Sequence, residues 1–168
     1  MIRVDLYTDA GIKDRVATWA TVAVIPGAAP IEASGRLRAD THCSATAELR
    51  AIANALHGLI RRGLVHRGDE VRVLSDSRHA VDRIAGRLKG KPEGPPAKAT
   101  LVILRLAEVH GIAVSSAWVP GHKPDNHSHH APFNNRCDAL CRAARTLPRP
   151  SKARKALDAA RRLSGGPA

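Results

Sequence analysis

Asp9, Glu48, Asp76 and Asp138 are the residues through which this chain is best placed to do chemistry. Asp9 closes an alternating apolar run (Ile2, Val4, Leu6), and Glu48 opens a long amphipathic stretch. Asp76 closes a second run (Val71, Val73), and Asp138 stands at the start of a later helical pattern. Carboxylates brought together repel one another unless cations sit between them, and hard oxygen ligands are what Mg²⁺ takes. Two such ions side by side hold both the attacking and the leaving oxygen of a phosphodiester. Each acid also has a plainer reading on its own. An Asp at a strand end forms turns, and an Asp at a helix start is favoured by the helix dipole. Convergence in space separates the two. Asp5, Asp14, Asp69, Glu70 and Asp82 fit no such pattern and are expected as surface charges, with Asp5 in a solvated cross-strand role beside Arg3.

The elements that must position these acids follow from periodicity. Strict alternation predicts a strand over 2–9, and a polar turn leads to a second over 19–25. Pro26-Gly27 marks a turn before a weaker strand over 31–38. Ser44 reads as an N-cap to a helix over 45–62, whose face is Leu49, Ile52, Ala53, Leu56, Leu59 and Ile60. A strand over 70–75, helices over 78–88 and 97–109, a strand over 111–119 and a helix over 134–146 complete the pattern. The second of those helices is expected to point Leu101, Leu104, Leu106 and Val109 mostly inward. Three strands with short turns and then crossover units predict an α/β sheet that begins antiparallel and continues parallel. Sites in such sheets lie at the carboxyl ends of central strands. Asp9 and Asp76 meet there if their strands are neighbours.

Composition narrows the partner. The chain has 168 residues, enough for one domain with a proper core. Lys and Arg number 27 against 15 Asp and Glu, and the isoelectric point is about 10.8, which points to a polyanion such as nucleic acid. The bland alternative is a charge that serves solubility alone. No apolar run approaches the ~18 residues of a membrane span, so no membrane partner is expected. The N-terminus enters a strand directly, which does not read as a signal peptide. Cys43, Cys137 and Cys141 make no disulfide framework and fit reduced thiols in the cytoplasm.

Five segments then carry a family resemblance. Tyr7-Thr8-Asp9-Ala10-Gly11 resembles the Tyr-Thr-Asp-Gly-Ser opening of type 1 ribonuclease H. The run from Ser44 to Ala51 (Ser-Ala-Thr-Ala-Glu-Leu-Arg-Ala) is similar to the second motif of the retroviral branch. Leu74-Ser75-Asp76-Ser77-Arg78-His79-Ala80 resembles the third. Trp118-Val119-Pro120-Gly121-His122 and the stretch from Pro132 to Leu140 resemble the two halves of the last. The resemblance implies the ribonuclease H-like fold, a mixed five-stranded sheet of three antiparallel strands and then two parallel ones, flanked by helices. It implies a catalytic domain over 1–147, followed by a basic, partly disordered tail over 148–168, acting as a monomer. It further implies that Asp9, Glu48, Asp76 and Asp138 hold two Mg²⁺ (or Mn²⁺) ions. The reaction implied is cleavage of the RNA strand of an RNA/DNA hybrid, leaving 5′-phosphate and 3′-hydroxyl ends. Ser44, Ser77, Arg78 and Asn134 are implied substrate contacts, and His122 the loop histidine that assists proton transfer or product release.

Some readings stay open beside it. Counting back from Asp138 reaches His127, His129 and His130 instead of His122, and all four histidines, with Cys137, offer a rival zinc set that lacks paired metal-ligand spacing. Ser44 and Ala45 stand where many relatives carry consecutive Asn residues, which puts strict RNA/DNA discrimination in question. The Pro-rich stretch from Lys89 to Lys98 replaces a basic helical protrusion, and the tail's Arg149, Lys152, Arg154, Lys155, Arg161 and Arg162 offer a second electrostatic contact or a solvated helix. A DNA-directed nuclease of the same fold and a non-catalytic duplex-binding module are the competing functions.

Overall fold

A computed structural model describes residues 1–37, 41–88 and 93–146. The tail from 147 and residues 89–92 of the Pro-rich connection lie outside the described residues. The chain runs β1 (Arg3–Lys13), β2 (Val16–Val24), β3 (Ile31–Arg36), α1 (Ser44–Arg61), β4 (Glu70–Ser75), α2 (Arg78–Ile84), α3 (Gly94–His110), β5 (Ala113–Trp118) and α4 (Ala131–Ala144). A short 3-10 turn, Asp125–His127, precedes α4. The sheet order is β3-β2-β1-β4-β5. Pairs β1/β2 and β2/β3 are antiparallel, and β1/β4 and β4/β5 are parallel. This is the ribonuclease H-like arrangement that the motifs implied.

The two strands that carry Asp9 and Asp76 are direct neighbours. Their register pairs Tyr7 with Leu74, so two residues further along the two chains stand Asp9 and Asp76. Each sheet face has its own apolar cluster. Val4, Leu6, Val71 and Val73 pack against Leu49, Ile52 and Leu56 of α1 and Ile103 of α3. Tyr7, Val22 and Leu74 pack on the other face against Cys137 and Cys141 of α4. Alternation along β1 decides the layer: even residues meet α1, and Tyr7 meets α4.

Several boundaries differ from the sequence expectation. Asp9 does not end its strand; β1 continues to Lys13 because Asp9 through Lys13 pair with Ala20 through Val16. Asp14 and Arg15, both at positive φ (51° and 59°), make the two-residue turn that suits a twisted hairpin. Cys43, not Ser44, is the N-cap of α1, and Ser44 is its exposed first residue. Helix α2 stops at Ile84 rather than reaching 88. Helix α4 begins three residues early, so Asp138 sits about two turns inside it, beyond the reach of a helix N-terminal dipole.

The face of α3 is also rotated from expectation. Ala99, Ile103 and Ala107 are buried, whereas Leu101, Leu104 and Val109 are 59%, 44% and 53% exposed. Alanines at the contact let α3 approach α1 closely, and the leucines are left outside. Asp69 is not a surface charge either: it is buried and accepts hydrogen bonds from the backbone N–H of Ile2 (2.8 Å) and His66 (2.8 Å). Asp5 takes the cross-strand role, in a two-pronged pair with Arg72 of β4 (3.0 and 2.6 Å). Among the described residues no helix is long and apolar enough to cross a membrane.

Candidate active site

Three of the four acids converge. Ligand oxygens of Asp9, Glu48 and Asp76 all lie within 4.8 Å of one another, although they come from β1, α1 and the end of β4. Asp138 approaches from α4; its carboxylate is not part of that close group but raises the proton affinity of Asp9. Its Oδ2 accepts a hydrogen bond from Arg142 one turn on (2.5 Å) and lies 3.8 Å from His122 Nδ1.

Crowding and burial set the charge state. Burial, then Asp76 and Asp138, push the Asp9 carboxyl up to about 6. Burial, then Asp9 and Asp76, push Glu48 up to about 9. Glu48 Oε2 is buried without a hydrogen-bond partner, an orphaned acceptor of the kind a bound cation satisfies. Oxygen-only donors, mutual repulsion and an unmet acceptor fit a hard divalent ion.

A pH effect follows with a definite sign. The folded protein holds protons on Glu48 and Asp9 that the unfolded chain would release. Metal-free stability therefore falls as pH rises from the ordinary carboxylate range through about 6 for Asp9 and on to about 9 for Glu48. In EDTA, Glu48→Gln is expected to melt higher than the parent at pH 8, with the difference vanishing near pH 4. Melting curves across that range check it; a variant that melts lower at pH 8 would contradict the crowded cluster.

Backbone and neighbours hold the acids in place. Cys141 donates its S–H to the Asp9 carbonyl (3.2 Å), and burial pushes that thiol upward so that it stays protonated. Trp118 Nε1 donates to the Asp76 carbonyl (3.1 Å), and the Arg78 guanidinium stacks on the Trp118 ring at 4.1 Å. Gly121 lies against the Asp76 carboxylate: a Cβ there would stand 2.3 Å from Oδ2. Gly121→Ala is thus expected to displace Asp76 and lower turnover by about 100-fold with little loss of melting temperature. Steady-state rates beside thermal melts test this, and parental turnover would contradict it. Gly121 was visible only as part of a motif, and Trp118 only as its first residue; their contacts with Asp76 were not.

The remaining expected residues divide. Arg78 is exposed beside the cluster, and Ser44 is exposed at the start of α1, so its hydroxyl is not spent on the cap. Ser77 caps α2 by accepting from the Ala80 N–H (3.3 Å), and Asn134 is buried with Oδ1 unpartnered. His122 is exposed at φ 51°, next to Asp138. His130 instead bonds through Nδ1 to the Tyr7 hydroxyl (2.8 Å) and stacks with His129. Cys137 is buried in the α4 cluster.

Comparison with known proteins agrees with this fold. A family model described as RNase H matches residues 2–146. A search of curated protein sequences finds no match. Among solved structures, the chain is similar to the N-terminal RNase H domain of a Mycobacterium tuberculosis protein, solved as a fusion with maltose-binding protein. That pair shares 22% identity over 86% of this chain and 94% of the other, with a TM-score of 0.62. RNase H1 from the halophilic archaeon Halobacterium salinarum gives 19% identity, 84% and 96% coverage and a TM-score of 0.65. LC11-RNase H1, solved in complex with an RNA/DNA hybrid, gives 23% identity, 84% and 95% coverage and a TM-score of 0.67.

Proposed function

The chain belongs to the ribonuclease H family, and from that membership we propose an endoribonuclease that cuts the RNA strand of RNA/DNA hybrids. It works with two divalent ions, Mg²⁺ or in its place Mn²⁺, and leaves 5′-phosphate and 3′-hydroxyl ends. The observation that carries this reading is the approach of Asp9, Glu48 and Asp76 oxygens to within 4.8 Å of one another. A module that merely binds polyanions gains nothing from gathered carboxylates. The likeness to a fold solved with an RNA/DNA hybrid supports the substrate class.

When bound, the ions supply a water of lowered pKa for in-line attack and stabilise charge on the departing 3′-oxygen. The chain's own part is to hold and orient. Asp9, Glu48 and Asp76 would hold the ions, and Asp138 would complete the set from α4. His122 turns Nδ1 toward Asp138, which leaves Nε2 to exchange a proton with the leaving oxygen or with solvent. Arg78 and Ser44 touch the sugar-phosphate backbone; Ser77 caps the helix that carries Arg78, and Asn134, buried with its Oδ1 unpartnered, is the remaining implied substrate contact. Duplex shape and 2′-hydroxyls then mark the RNA strand.

The test is Mg²⁺-dependent cleavage of labelled substrates. Hybrid RNA is expected to be cut while duplex DNA and duplex RNA survive. Preferential cutting of branched DNA would favour a DNA-directed nuclease, and binding without cutting a duplex-binding module.

A further inference from the structure

Among the described residues, two arginines beyond the acid cluster have no carboxylate to answer them. Gly11, Thr18 and Arg36 form one row across β1, β2 and β3, in register. Arg36 donates through Nη2 to the main-chain carbonyl of Arg145, just past the end of α4. The Arg145 guanidinium in turn lies over Gly11, with Nη2 3.2 Å from where a Cβ would stand. A larger residue than glycine at position 11 would crowd that guanidinium. Both side chains are half-buried, and the Nε of each is buried without a hydrogen-bond partner. Among the described residues neither has a carboxylate within salt-bridge distance; Arg142, one turn earlier, is paired with Asp138. Two like charges partly withdrawn from water, with donors unmet, are costly unless an anion joins them. Guanidinium groups match the oxygens of carboxylate and phosphate alike, and a nucleic-acid strand supplies phosphate.

Position identifies which phosphate. Gly11 is two residues beyond Asp9 on the same strand, which is about 7 Å at the usual strand rise. That is the scale of a step or two along a nucleic-acid strand, at ~3.4 Å of axial rise per nucleotide. We infer that Arg36 and Arg145 form an anion subsite for a backbone phosphate of the strand being cut, next to the scissile position. This inference rests on the hybrid-cleaving reading for the identity of the strand. The subsite anchors the strand beyond the reacting bond, and neither arginine touches the reacting atoms. The two residues are 109 positions apart, so no sequence motif could announce the pair.

The decisive comparison is Arg145→Gln against Arg145→Lys, with hybrid affinity measured by fluorescence anisotropy in EDTA over a range of salt and KM measured in Mg²⁺. Arg36→Gln is the less clean variant, since it also frees a helix-terminal carbonyl. For Arg145→Gln, affinity is expected to fall about 10-fold at low salt, with a matching rise in KM. The log affinity against log salt slope should become shallower by about 0.9. Lysine should restore the slope. A structural role would instead lower affinity equally at every salt and leave the slope alone, and that result overturns the subsite. Parental affinity and slope in Arg145→Gln would overturn it too. If the parent binds hybrid and cuts nothing, but Gln still flattens the slope, the nuclease reading falls and the phosphate subsite stands.

Discussion

Asp9→Asn is expected to abolish hybrid cleavage, lowering turnover by at least ~10³-fold, while the protein stays folded. The amide keeps the shape of the side chain and removes its charge. Asp9 is the acid that meets all of the others: it approaches Glu48 and Asp76 directly, and its proton affinity responds to Asp138. At the proposed metal site, losing it would remove an oxygen shared by the close acid group and weaken ion binding there. Stability moves the opposite way. With one repelling charge gone, the metal-free variant is expected to melt higher than its parent at pH 8, and added Mg²⁺ should raise its melting temperature far less. Single-turnover rates and melts with and without Mg²⁺ together check both halves. A variant that cleaves at the parental rate would remove Asp9 from the site.

Leu49→Ala is expected to be the most damaging truncation near the site, costing about 3 kcal/mol. Leu49 follows Glu48 on α1, is fully buried, and packs in the cluster shared by β1, β4 and α3. The chain has one Phe, one Tyr and two Trp, so aliphatic side chains carry its interior. No large ring stands ready to fill the space left behind. Against a typical total of ~5–15 kcal/mol, the loss lowers the melting temperature by about 10 °C. Because the same turn of helix carries Glu48, ion affinity should weaken along with stability. Chemical denaturation measures the first effect and calorimetric Mg²⁺ titration the second. A change below ~1 kcal/mol would mean that α1 repacks freely around the gap, contrary to the close packing of interiors.

Much of this was legible in the sequence because alternation and helical period report which face is buried. Val4, Leu6, Val71 and Val73 were readable as strand residues, and the face of α1 from Leu49 to Leu59 is the buried one. The acids were legible as a set because each closes an alternating apolar run or falls in a helical pattern, in a recognisable order. What stayed hidden was tertiary. The continuation of β1 past Asp9 depends on pairing with β2, which alternation cannot report once Ala10 and Gly11 interrupt it. The phase of α3 is decided by where small residues allow helices to meet, so Ala99 and Ala107 outcompete Leu101 and Leu104 for the inside. Cys43 replaces Ser44 as the N-cap although serine is the better capping residue, because the chain entering α1 turns one residue earlier. Among the loop histidines, counting forward from Trp118 favours His122, and counting back from Asp138 reaches His127, His129 or His130. In the structure His130 is held by Tyr7, and His122 stands beside Asp138.

Anomalous diffraction from crystals soaked in Mn²⁺ addresses the gathered carboxylates most directly. Manganese peaks are expected between Asp9, Glu48 and Asp76, with oxygens of those residues at coordinating distance and Asp138 turned toward them. Peaks confined to other parts of the molecule, with those oxygens left uncoordinated, would contradict the account.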